Sequence, residues 1–143
     1  MSGAGQGPRG AIDWLELERR ALAVRHHAHA PYSGYQVGAA LLVRSGAIFT
    51  GCNVENASYG LSLCAERSAV AAMVSQGETG PLAIVVVTRG PKPGTPCGMC
   101  RQVLAEFADD ALMVRLLVDG VPGQSRDFTL GALLPEAFRR DSL

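Results

Sequence analysis

Leu82-Ala83-Ile84-Val85-Val86-Val87-Thr88 is the stretch that decides the fold. It is near-continuously apolar and rich in β-branched residues. That pattern predicts a strand buried on both faces, at the centre of a sheet with helices above and below. Working outward, Cys64 to about Gln76 is alanine-rich and predicts a helix able to pack closely on that sheet. Beyond the strand, Gly and Pro fill residues 90–96. Cys97 to about Ala108 then predicts a second helix, and Leu112 to Val118 a second strand. A helix between two such strands is a β-α-β unit with a right-handed crossover. Upstream, Tyr35–Val43 and Ala47–Val54 read as strands joined at Ser45-Gly46, a hairpin. In it, Gly38-Ala39-Ala40 is small enough for another element to approach closely. A helix is predicted from Asp13 to about residue 29, with Trp14, Leu15, Leu17, Leu22 and Val24 forming much of its apolar surface and Pro31 ending it. Downstream, Gly120 and Gly123 mark a turn, Arg126–Thr129 a short edge strand, and Pro135 the start of a last helix. Residues 1–10 read as a disordered arm. With neither a repeat nor an internal linker in view, residues 11–143 read as one α/β domain with helices on both sheet faces.

Composition narrows the functional classes. Of 143 residues, 48% are hydrophobic and 18% charged, which suits a compact soluble globule. Thirteen basic and thirteen acidic side chains cancel, which argues against a protein that lives on nucleic-acid phosphates. No apolar run reaches the roughly 18 residues of a membrane span. Met1–Gly10 has no apolar core of the kind a secretory signal needs, so the four cysteines read as metal-binding rather than disulfide-forming.

Two short stretches carry the chemistry: Leu63-Cys64-Ala65-Glu66-Arg67 and Pro96-Cys97-Gly98-Met99-Cys100-Arg101-Gln102. Cys97 and Cys100 fall on one turn of a helix and can reach one metal ion, with Cys64 adding a third thiolate from the start of an earlier helix. Three protein ligands leave a fourth tetrahedral position for water, the pattern of a catalytic zinc rather than a structural one. Glu66 is the carboxylate best placed to move protons there. Three thiolates overcompensate a divalent cation, and that excess works against acidifying a bound water. Two helix N-termini would offset it. So would Arg67, which reads equally as a thiolate partner or as a solvated helix residue. Cys52 reads as a small buried residue of the hairpin rather than a fourth ligand. His26, His27 and His29 read as cations at a helix end rather than ligands. Asn53 and Glu55, on one side of an extended chain, read either as a polar strand end or as a clamp for hydroxyl groups.

The chain closely resembles the cytidine deaminases, specifically their short homotetrameric class. The likeness rests on Ala30-Pro31-Tyr32-Ser33, Val37-Gly38-Ala39-Ala40-Leu41, Gly51-Cys52-Asn53-Val54-Glu55-Asn56-Ala57, Cys64-Ala65-Glu66-Arg67 and Pro96-Cys97-Gly98-Met99-Cys100-Arg101-Gln102, and runs from the first helix to Phe138. It implies a three-layer α-β-α fold on a mixed sheet of about five strands. It implies one Zn²⁺ per chain on Cys64, Cys97 and Cys100, and Glu66 as the catalytic proton carrier. The reaction would be hydrolysis of cytidine and deoxycytidine to uridine and deoxyuridine with release of ammonia, in cytoplasmic pyrimidine salvage. Asn53 and Glu55 would hold the ribose 3′-hydroxyl and the Ala65 backbone would contact the base. Arg67 would support the metal ligands. Ala57, Tyr59 and Phe138 would approach a neighbouring subunit's ligand in a homotetramer with shared sites. Tyr35 stands where the family commonly has a stacking Phe, and Met99 where it commonly has Ala. The substrate would be a free nucleoside, with no nucleic acid and no membrane as partner. Two other readings are a blasticidin-S-type nucleoside deaminase and a non-catalytic zinc-binding assembly protein.

Overall fold

A computed structural model describes residues 12–143 other than Pro122. The arm expected at residues 1–10 lies outside the described residues. The elements run α1 (Trp14–Arg25), β1 (Gly38–Val43), β2 (Ile48–Cys52), α2 (Ala65–Ser75), β3 (Pro81–Thr88), α3 (Gly98–Phe107), β4 (Met113–Val118), β5 (Ser125–Thr129) and α4 (Leu130–Leu133). The five strands form one mixed sheet in the order β2-β1-β3-β4-β5. β3 pairs antiparallel with β1 and parallel with β4, the parallel pair spanned by α3. The apolar stretch around Val85 is therefore the middle strand, and every one of its residues is buried.

Alternation along β1 and β3 sorts the core into two layers. Ala39, Leu41, Ile84 and Val86 face α2 and α3, where Ala69, Met73 and Leu104 pack on them. Ala40, Leu42, Val85 and Val87 face α1 through Leu17 and Ala21. Burying a leucine such as Leu17 stabilises the fold by about 1.5–3 kcal/mol. Small residues set the helix heights. A Cβ on Gly38 would collide with the Ala21 carbonyl and Arg25, and one on Gly51 would collide with the backbone of Ala65 and Ala69. These two glycines bring α1 and α2 down onto the hairpin.

Three boundaries depart from the sequence reading. α1 starts where expected, with Asp13 Oδ1 accepting from the Glu16 N–H at 3.1 Å, but it ends at Arg25 rather than near residue 29. The next two turns tighten through His27 N–H to Val24 O and Ala28 N–H to Arg25 O, and His29 leaves to pair with Val54. Tyr35–Val37 precede β1 as a loop rather than belonging to it. The last helix starts at Leu130, before Pro135 rather than at it. Thr129 Oγ1 accepts from the Ala132 N–H and caps a single turn, and Pro135 disfavours helix in the residue before it. Glu136, at φ 54, then turns the chain away.

Candidate metal centre and active site

Both cysteine stretches open helices. Cys64 is the N-cap of α2, Cys97 the N-cap of α3, and Cys100 lies in the first turn of α3. Because α2 and α3 lie on the same face of the sheet, their N-termini converge. The Sγ atoms of Cys64 and Cys97 are 3.9 Å apart and those of Cys97 and Cys100 3.5 Å apart. Among the described residues, these three form the one group of His, Cys, Asp or Glu side chains with metal-ligand spacing. Tetrahedral zinc with bonds of about 2.3 Å places its sulfurs about 3.8 Å apart, so the three thiols fit that ion closely. Cys52, the last residue of β2, is half-buried and outside the group, and the three histidines are outside it too.

The electrostatics favour thiolate. The Cys64 thiol is held down to about 5, first by a hydrogen bond from Cys100 and then by Arg67. The same contact pushes Cys100 up. Arg67 Nη2 donates to Cys64 Sγ at 3.7 Å and to the Ser62 carbonyl at 3.2 Å. Glu66, in the first turn of α2, is 5% exposed. Burial raises its pKa first, and the charge on Cys64 adds to the shift. A buried carboxyl poised to hold a proton beside a metal site is suited to general acid/base work.

A cavity of about 220 Å³ opens against this group, walled by Cys64, Ala65, Glu66, Cys97, Asn53 and Tyr35. A larger hollow of about 560 Å³, between Leu15 on α1 and Val121 beyond β4, holds none of the cluster residues. Thr88, Gly94 and Thr95 also line the smaller cavity. The sequence reading gave them no role, although a lone polar residue ending an apolar strand is a signal that points to Thr88. Its Oγ1 accepts from the Gly94 N–H at 3.2 Å and fixes that wall.

Asn53 reaches the cavity because residues 53–55 are laced between two neighbours. Val54 exchanges two backbone hydrogen bonds with Leu63. His29 N–H donates to Asn53 O, and Glu55 N–H donates to His29 O. Asn53 accepts from the Val37 N–H at 2.8 Å and donates to Tyr35 O at 2.7 Å. Glu55 accepts from the Tyr32 and Ser33 N–H groups at 2.9 and 3.1 Å and from Ser33 Oγ at 2.5 Å. Asn53 therefore stands in the cavity wall, whereas Glu55 braces the 32–35 turn beside it. Ala57, Tyr59 and Phe138 are not among the residues lining the cavity. Tyr59 is 74% exposed with its ring edge-on to Tyr32, and Phe138 is 61% exposed. Met99 is exposed on α3 and likewise off the cavity wall.

Residues 14–116 match the family model for the cytidine and deoxycytidylate deaminase zinc-binding region. A cytidine deaminase of Halalkalibacterium halodurans is 42% identical over 132 residues, covering 92% of this chain and 98% of the relative. One from Mycobacterium tuberculosis is 44% identical, covering 92% of this chain and 94% of the relative. Among solved structures, a cytidine deaminase from Burkholderia pseudomallei superposes with a TM-score of 0.81 at 46% identity, over 86% of this chain and 97% of that one. The Mycobacterium tuberculosis structure gives 0.76 at 44% identity, over 89% and 98%.

Proposed function

The chain belongs to the cytidine and deoxycytidylate deaminase family, and from that premise we propose that it converts cytidine and deoxycytidine, with water, to uridine and deoxyuridine plus ammonia. One observation carries the reading. A buried Glu66 lines one small cavity together with Cys64 and Cys97, two of the three thiols that converge with metal-ligand spacing. A purely structural zinc site has no use for the carboxyl, so the assembly-protein reading is not favoured. The relatives are named cytidine deaminases, so the blasticidin-type reading is not favoured either.

Cys64, Cys97 and Cys100 hold one zinc per chain, which when bound supplies a Lewis acid that acidifies water near neutral pH. Glu66 takes one proton from the water that attacks ring carbon C4 and gives it to the ring nitrogen, then takes the second proton from the new C4 hydroxyl and gives it to the amine, which leaves as ammonia as the C4 carbonyl forms. Its raised pKa suits both directions of transfer. The Ala65 backbone contacts the base and Tyr35 flanks it. Asn53 and Glu55 meet the ribose hydroxyl, Glu55 also fixing the turn that frames it. Arg67 steadies the thiolate of Cys64. Residues 11–143 act as a single deaminase domain.

The same reading includes a homotetramer with shared sites. A cavity of about 220 Å³ falls short of the roughly 300–1,000 Å³ usual for a small-molecule site, which supports completion by a neighbour. Tyr59, Leu61 and Phe138 are large, apolar and exposed, as expected of side chains covered by a second copy. Ala57 lies on the same loop. Free nucleosides are the substrates, in cytoplasmic pyrimidine salvage, and the unpaired cysteines suit a reducing compartment. No described helix is long and apolar enough to cross a membrane.

Ammonia release from cytidine, lost on chelation and restored by zinc, is the expected result. Activity unchanged in rigorously metal-free protein would overturn the reading. Sedimentation should give a tetramer, and a fully active monomer would remove the shared site.

A further inference from the structure

Two side chains of the second cysteine stretch are not used by the chemistry above. Gln102 Nε2 donates to the Phe138 carbonyl at 2.8 Å. Arg101 donates from Nε to the Pro96 carbonyl at 2.7 Å and from Nη1 to the Leu133 carbonyl at 2.6 Å. Further along, Arg139 Nη1 donates to the carbonyls of Ala105 and Ala108, at the end of α3. The tail is thus fastened along the whole of the helix whose start carries Cys97 and Cys100. Ala137 packs on the core and Arg139 reaches back to α3, while Phe138 between them is turned outward. A side chain presented this way has its direction set by its own main chain, and Gln102 holds that main chain at the carbonyl.

We propose that Gln102 is a positioning residue for substrate binding. Its amide fixes the Phe138 carbonyl, and so aims the Phe138 ring at the pocket of a neighbouring copy. The proposal rests on the shared-site reading above, in which Phe138 reaches the ligand of a neighbouring copy. Gln102 touches neither the cavity nor the thiols, so its loss should act on binding and leave the chemical step alone.

The test is a cycle of Gln102→Leu, Phe138→Ala and the double variant, with Gln102→Glu as a near-isosteric second variant that loses the donor. Each is assayed for kcat, KM for cytidine, zinc content and sedimentation. A hydrogen bond of ordinary strength predicts a KM raised roughly threefold to tenfold in Gln102→Leu, with kcat and zinc unchanged. Gln102→Glu should behave alike. In the Phe138→Ala background Gln102→Leu should add nothing. Phe138→Ala with a raised KM but normal KM in both Gln102 variants overturns the positioning role. So does full additivity in the double variant, or an equal loss of kcat and zinc. An unchanged KM in Phe138→Ala instead removes the premise, and the proposal falls with it.

Discussion

Arg67 Nη2 lies 3.7 Å from Cys64 Sγ, and Cys64 caps the same helix on which Arg67 rides. One cation therefore sits beside a sulfur whose pKa is held down to about 5. In Arg67→Ala that sulfur loses a donor, and the Cys64 titration should move upward from about 5, read by ultraviolet thiolate absorbance in metal-stripped, reduced protein. A lost charge-assisted hydrogen bond of about 1.5 kcal/mol predicts roughly a tenfold fall in activity. The acid limb of the pH–rate profile should move upward with it. An unmoved titration and profile would make Arg67 a bystander.

Glu66→Gln keeps the shape and removes the proton. Turnover should fall by about 10²–10⁴-fold, at the upper end because one carboxyl serves several transfers, while zinc content stays at one per chain. Stability should move the other way. The folded chain binds the Glu66 proton more tightly than the unfolded chain does, because burial raises its pKa. Stability is therefore lost as pH rises from the ordinary carboxylate range through the raised value. In metal-stripped protein Glu66→Gln should melt higher than the parent, with a wider gap at pH 8 than at pH 5. A gap that narrows with pH would contradict the assigned cause.

Gly51→Ala should destabilise the fold by about 1–3 kcal/mol, because the new methyl group meets the α2 backbone at Ala65 and Ala69. As α2 carries Cys64 and Glu66, activity should fall along with the melting temperature. Gly60→Ala is the control. A Cβ there meets nothing within 4 Å, and the change should be within about 0.5 kcal/mol. Equal effects at the two positions would refute the packing argument.

Glu55→Gln should loosen the turn at residues 32–35. The Ser33 hydroxyl, followed by the Ser33 and Tyr32 N–H groups, holds the Glu55 pKa below its usual value. The bracing is therefore complete above the ordinary carboxylate range and disappears as pH falls through the depressed value. Amide exchange at Tyr32 and Ser33 should accelerate in the variant, and KM for cytidine should rise. Unchanged exchange at both amides would show that the carboxylate does not brace the turn.

The central strand, the hairpin and the thiol set were legible because each depends on local pattern. The β-branched run around Val85 needs burial on both faces, and Cys-x-x-Cys at a helix start reports its own geometry. The end of α1 was not legible, because Arg25 is followed by no helix breaker until Pro31. What ends the helix is His29 pairing with Val54, a contact between distant segments. The last helix was misplaced for the opposite reason. Pro135 looks like a helix start, but the Thr129 hydroxyl caps an earlier turn. The bracing role of Glu55 depends on Ser33, which neither residue reveals alone. Thr88 was passed over because its partner, Gly94, lies in a loop without periodicity.

The convergence of α2 and α3 also bears on how the chain folds. Cys64 precedes β3 and Cys97 follows it, so the three sulfurs meet only after β3 has taken its place between β1 and β4. Before that, Cys97 and Cys100 can offer a metal only a two-thiol clasp. Closing the remaining loop costs chain entropy that only the assembled sheet repays. Metal capture thus comes last, as a lock turned on a finished structure rather than a seed for it. In refolding, tight zinc uptake should follow the kinetics of sheet formation and should not accelerate it.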